Sequence, residues 1–128
     1  MRITPSLDEF SEVYNNKQPQ LVYTRHIADL ETPISALQKL TAGKSNCMLL
    51  ETVNRGTFKD RYSMVGMEPD IIWRANGNLS EINRNALNQN KEFVAQDGNT
   101  LDNLRALLAE SKIDIPEDIP PMMGIYGY

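Results

Sequence analysis

A chain of 128 residues with 41% apolar and 23% charged side chains has the makeup of an ordinary globular protein, one domain at most or part of a larger one, and not of a disordered or fibrous chain. The net charge of −4 weighs against nucleic acid as a partner, since phosphate binding wants a basic face, and no apolar run approaches the ~20 residues of a membrane span. The single cysteine, Cys47, has no internal partner and reads as a small buried hydrophobe in a reducing compartment; with no secretory signal in "MRITPSLDEF", the cytoplasm is the expected location.

In chain order, "SLDEFSEVYNN" predicts a first helix. Ser6 is its N-cap, Glu9 completes a capping box, and Leu7, Phe10, Val13 and Tyr14 recur on one face. "QLVYTRHIA" follows Pro19 as a strand rich in β-favouring residues. "TPISALQKLTAG" is a helix capped by Thr32, with Pro33 at the first helical position and Gly43 at the left-handed C-terminal position. Its apolar stripe is Ile34, Leu37 and Leu40.

The period then changes from helical to extended. "NCMLLETV" is a nearly continuous apolar run, which predicts a strand buried on both faces. "RYSMVGM" and "DIIWRAN" are further strands, separated by Glu68-Pro69, and "NGN" is a tight turn into a returning strand "LSEINR". Residues 83–99 are polar and asparagine-rich and are expected to form a flexible excursion. "TLDNLRALLAESK" predicts an amphipathic helix with Leu101, Leu104, Leu107 and Leu108 on one face. "IDIPEDIPP" reads as an extended connector into a final strand, "PPMMGIYGY". That bare apolar end implies a polypeptide that continues past Tyr128. The order of elements predicts an α+β fold, a largely antiparallel sheet meander with flanking helices.

The usual catalytic constellations are missing, so no catalytic or metal-binding residue is assigned within the chain. His26 is a lone histidine without Cys or carboxylate at ligand spacing, and reads as a half-exposed strand residue. Gly124 and Gly127 are too sparse to cradle a phosphate.

The stretch "LLETVNRGTFKDRYSMVG" is less ordinary. It ends one strand with Glu51 and Thr52 and starts its neighbour with Arg61. A zwitterion such as a free amino acid needs an anion for its ammonium, a donor for its carboxylate and an apolar slot. Glu51, Thr52, Arg61 and the flanking Leu49, Leu50, Met64 and Val65 supply those types. The same residues also suit a plain reading, in which Glu51 and Arg61 form an exposed cross-strand ion pair contributing under about 1 kcal/mol.

"MLLETVNRGTFKDRYSMVGMEPDIIWRANG" closely resembles the N-terminal region of anthranilate synthase component I, where a strand "LLES", a polar turn, "RYS", a glycine and "PD" before an apolar strand recur. "ETPISALQKL" and "PPMMGIYGY" are similar to the same family's segments, and the resemblance runs from about Thr24 to Tyr128, the asparagine-rich excursion apart. It implies that residues 1–128 are the N-terminal, regulatory region of a larger two-sheet, sandwich-like α/β enzyme subunit whose catalytic chorismate-binding domain lies beyond the chain. The full protein would convert chorismate to anthranilate and pyruvate in tryptophan biosynthesis. It would use Mg2+, held outside this chain, and ammonia from a glutamine amidotransferase subunit, component II. The resemblance further implies a feedback site for L-tryptophan at Leu50, Glu51, Thr52 and Arg61. Thr52 departs from the family's serine: the hydroxyl is kept, but the added methyl takes space and restricts the rotamer.

Two other readings stand beside this one: an aminodeoxychorismate synthase component I, which shares the layout, and a stand-alone amino-acid-binding module. The chain by itself is expected to be inactive and to associate through "NCMLLETV" and "MMGIYGY", strands that lack partners.

Overall fold

The helices begin where side chains can satisfy the backbone donors that a first turn leaves open. Ser6 is the N-cap of Leu7–Asn15 (α1). Its amide and hydroxyl donate to Glu9 Oε2 at 2.8 and 2.7 Å, and the Glu9 amide donates to Ser6 Oγ at 3.4 Å, forming the expected capping box. Thr32 caps Pro33–Thr41 (α2) reciprocally with Ser35, at 2.9 and 3.1 Å. The left-handed turn expected at Gly43 begins one residue earlier, at Ala42 (φ +45°), and Gly43 (φ +80°) continues it. In Thr100–Glu110 (α3), the Asn99 side chain accepts from the Leu101 amide at 2.8 Å.

The computed structural model describes residues 2–51, 62–88, 91–120 and 124–127. The chain divides into two units, residues 1–29 with 105–128, and residues 30–104.

In the first unit, Ile3–Thr4 (β1) pairs antiparallel with Tyr23–Thr24 (β2). The strand expected over 20–28 is thus reduced to the two residues that find a partner, and its partner is a stretch the apolar pattern did not mark. Thr24 Oγ1 donates to the Arg2 carbonyl at 2.9 Å, and Gln20 Nε2 donates to the Phe10 carbonyl at 2.9 Å. Phe10 stacks on Tyr14 with ring centroids 5.5 Å apart. The division falls within α3: of the leucines expected to share its face, Leu107 of the first unit is buried and Leu108 exposed, and Leu101 of the second unit is exposed.

The second unit holds two antiparallel sheets. Met48–Glu51 (β3) pairs with Ser63–Gly66 (β4). Ile72–Asn76 (β5), Leu79–Asn83 (β6) and Val94–Gln96 (β7) form a sheet in that order. The α+β expectation holds, with every pairing antiparallel, but one meander becomes separate sheets. Glu68 at φ +52° and Pro69, which has no N–H to donate, interrupt the run between β4 and β5. Gly77 at φ +59° makes the tight β5–β6 turn.

Residues 83–99 depart from the flexible excursion expected of them. They hold a short 3-10 helix, Ala86–Asn88, and the strand β7. The β6 edge offers a backbone ladder to β7, with Ser80 opposite Gln96 and Ile82 opposite Val94. Trp73 Nε1 then donates to Gln96 Oε1 at 2.8 Å across that sheet. Ile82 is buried, as are the polar Ser80 and Asn83.

The burial expected on both faces of β3 is not found. Among the described residues, helix α2 packs against β3 and β4. Met48 and Leu49 are half-buried and Leu50 is exposed. Ile34 and Leu40 of the α2 stripe are exposed as well. Cys47 precedes β3 rather than lying in it, half-buried, with its thiol donating to the Lys44 carbonyl at 3.3 Å. Gly124 to Gly127 form no strand, which removes the described part of the expected final strand; residues 121–123 and 128 lie outside the described residues. Among the described residues no helix is long and apolar enough to cross a membrane.

Candidate functional site

The candidate site stands on the β3–β4 pair, whose register is set by four cross-strand partners: Met48–Gly66, Leu49–Val65, Leu50–Met64 and Glu51–Ser63. The first has the closest approach. A Cβ on Gly66 would lie 2.6 Å from Met48 Cε and 3.0 Å from its Cγ, so the absence of a side chain lets Met48 lie across the neighbouring strand. The apolar pairs that follow carry the ladder out to its acidic end.

At that end stands Glu51, exposed although the run it belongs to was expected to be buried on both faces. Its cross-strand partner is Ser63, whose hydroxyl donates to Glu51 Oε1 at 3.4 Å, near the long limit for such a bond. Thr52, Arg61 and the turn 53–60 lie outside the described residues. The described part of the site is therefore a carboxylate with a hydroxyl beside it. Successive strand side chains point to opposite faces, so Glu51 shares a face with Leu49, Ser63 and Val65, whereas Leu50 goes with Met48 and Met64.

Chemically, an exposed carboxylate and a neighbouring hydroxyl at the end of an apolar ladder can accept an ammonium and offer it an apolar flank. Ser63 is the residue that sequence reasoning passed over. Register was the signal that could have found it: once Leu50 faces Met64, Glu51 must face Ser63.

Other candidates contribute little chemistry. His26 is exposed and lies beyond the end of β2, outside any strand. Two carboxyls are held below their ordinary range, both at helix starts. Glu9 is lowered by the Ser6 hydroxyl and then the Ser6 amide, and Glu31 by hydrogen bonds from Lys39 and then Ser35. Both serve capping. Among the described residues no group of three or more His, Cys, Asp or Glu converges to hold a metal ion.

The chain aligns with curated proteins along nearly all of its length. It is 43% identical over 124 residues to anthranilate synthase component 1 of Cereibacter sphaeroides, an alignment that covers 96% of this chain and 25% of that protein. The corresponding protein of Synechocystis sp. is 33% identical over 132 aligned positions, covering 98% of the chain and 25% of the relative. That of Arthrobacter globiformis is 29% identical over 127, covering 98% and 23%. The chain spans about a quarter of the length of the curated relatives it matches. No protein-family profile matches it, and no solved structure does.

Proposed function

The chain is a relative of anthranilate synthase component 1 along nearly its whole length, and from that premise we propose that it is the N-terminal, feedback-regulatory part of an anthranilate synthase whose β3–β4 hairpin grips L-tryptophan. The full-length protein converts chorismate and ammonia to anthranilate and pyruvate in tryptophan biosynthesis, in the cytoplasm. A glutamine amidotransferase subunit, component II, delivers the ammonia. Mg2+ and the catalytic groups belong to sequence outside this chain.

One observation carries the reading of the hairpin: the ladder delivers Glu51 to an exposed strand end with the Ser63 hydroxyl beside it. In the proposed complex, Glu51 takes the ligand's ammonium, the Thr52 hydroxyl adds a hydrogen bond and Arg61 meets the carboxylate. The ligand favours a conformation with poor chorismate turnover, through a coupling of about 1–3 kcal/mol.

The test is the fluorescence of anthranilate formed by the full-length protein, titrated with L-tryptophan. Charge-assisted hydrogen bonds contribute about 1.5–3 kcal/mol, so Glu51→Gln should raise the half-inhibiting tryptophan concentration by about tenfold or more, with uninhibited turnover unchanged. Thr52→Ser removes one methyl and should lower that concentration by up to about fivefold, as for about 1 kcal/mol of crowding. Unaltered inhibition in Glu51→Gln would overturn the site, and a product other than anthranilate would overturn the activity.

A further inference from the structure

The first unit contains a feature that the regulatory reading does not use. Asp118, on the proline-punctuated connector, reaches back to β2 and the residue after it. Arg25 Nη2 donates to Asp118 Oδ2 at 2.9 Å and to the Asp118 carbonyl at 2.5 Å. Tyr23 adds its phenolic hydroxyl, 3.3 Å from Oδ2, and the Arg25 guanidinium lies 5.8 Å from the Tyr23 ring centroid. These three groups border a recess of about 380 Å³ whose lining is completed by Arg2, Thr4 and Thr24.

The arrangement has the parts of a carboxylate-recognition site that already holds a carboxylate. A guanidinium and a phenol converge on the Asp118 oxygens, which is how an oxyanion is bound. Arg2 also lines the recess, where its carbonyl accepts from Thr24 Oγ1, and its charge acts on Glu9. The tethered ligand is weakly held, because both partners are more than half exposed, 61% for Arg25 and 54% for Asp118. Exposed pairs of this kind are marginal and are readily exchanged for competing ions.

We propose that the recess beside Arg25 and Tyr23 is a binding site for a small oxyanion, a carboxylate or a phosphate, which competes with Asp118 for Arg25 and frees the connector when it binds. Residues 113–120 would then carry the signal, since apart from the Ile119 amide donating to the Pro116 carbonyl at 3.0 Å they have no helix or strand to hold them. The site consists entirely of residues from one unit, so the inference is independent of the tryptophan reading.

The experiment is hydrogen–deuterium exchange with mass spectrometry on the full-length protein, titrated with inorganic phosphate, with acetate, or with chloride at matched ionic strength. Phosphate or acetate should slow exchange in peptides covering residues 2–4 and 23–25 and speed it in 113–120. Chloride should do neither; an equal response to chloride would mean mere screening of the ion pair and would overturn the proposal. The variant D118N removes the internal competitor, so the half-saturating oxyanion concentration should fall by about two- to fivefold, the range an exposed ion pair allows. R25Q should abolish the response. A purely structural ion pair makes the opposite forecast: D118N would loosen the connector without conferring any response to phosphate or acetate, and that result also overturns the proposal. The oxyanion effective at the lower concentration identifies the ligand's class.

Discussion

Gly66 offers the sharpest check on the geometry of the hairpin. Replacing it by alanine puts a methyl 2.6 Å from Met48 Cε and 3.0 Å from Met48 Cγ, where carbon atoms at rest stand about 3.5–4.0 Å apart. Met48 must rotate away, or the strands must separate. Overpacking of this kind costs about 1–3 kcal/mol, with the flexible methionine pushing toward the lower end. Against that, an alanine in a strand interior recovers about 0.5–1 kcal/mol of the conformational entropy that glycine loses. The balance is a destabilisation of up to about 1 kcal/mol, or up to about fivefold faster opening of β3 and β4. Hydrogen exchange of peptides covering 48–51 and 63–66 in the full-length protein reads it directly. In a Met48→Ala background the clashing atoms are gone, so the same Gly66→Ala change should be neutral or slightly protective. If Gly66→Ala does not speed exchange with Met48 present, or costs as much without it, the proposed packing of Met48 over Gly66 is wrong. Because Glu51 is carried on the same ladder, the single variant should also weaken tryptophan inhibition while leaving uninhibited turnover intact.

Two further predictions address other elements of the chain. Glu9 is held below its ordinary value of 4.5 chiefly by the Ser6 hydroxyl, so its contribution to α1 is present above that value and is lost as pH falls through the lowered one. Helicity of α1 should therefore drop on acidification below about pH 4.5 in the parent and lose that dependence in Glu9→Gln; an unchanged acid profile in the variant would count against the capping box. Asn103→Ala removes the donor to Ser80 Oγ at 2.9 Å and to the Asp97 carbonyl at 3.1 Å, and Ser80 is only 2% exposed. A buried hydroxyl left without its partner should cost about 1–3 kcal/mol, seen as faster exchange in β6 and β7, with Ser80→Ala in the same chain recovering part of the loss.

What could be read from the sequence was local. Ser6 with Glu9, and Thr32 with Pro33, start helices through bonds that span a single turn, so the residues themselves are sufficient signal. The Asn76-Gly77-Asn78 turn is likewise a property of its own backbone, and it correctly announced the β5–β6 hairpin.

Only the tertiary structure decided what depends on a partner distant in sequence. Strand β7 lies in an asparagine-rich stretch of low β propensity, and it forms because β6 offers a ladder. Strand β2 shrinks to two residues because β1 is no longer than that. Ser63 became the neighbour of Glu51 through register, and Asp118 that of Arg25 across 93 positions of chain. Apolarity specifies what a segment is able to bury, but the number of layers packed on it determines what is buried. That is why Leu50, Ile34 and Leu40 stand exposed in a run and a stripe that the sequence marked for burial.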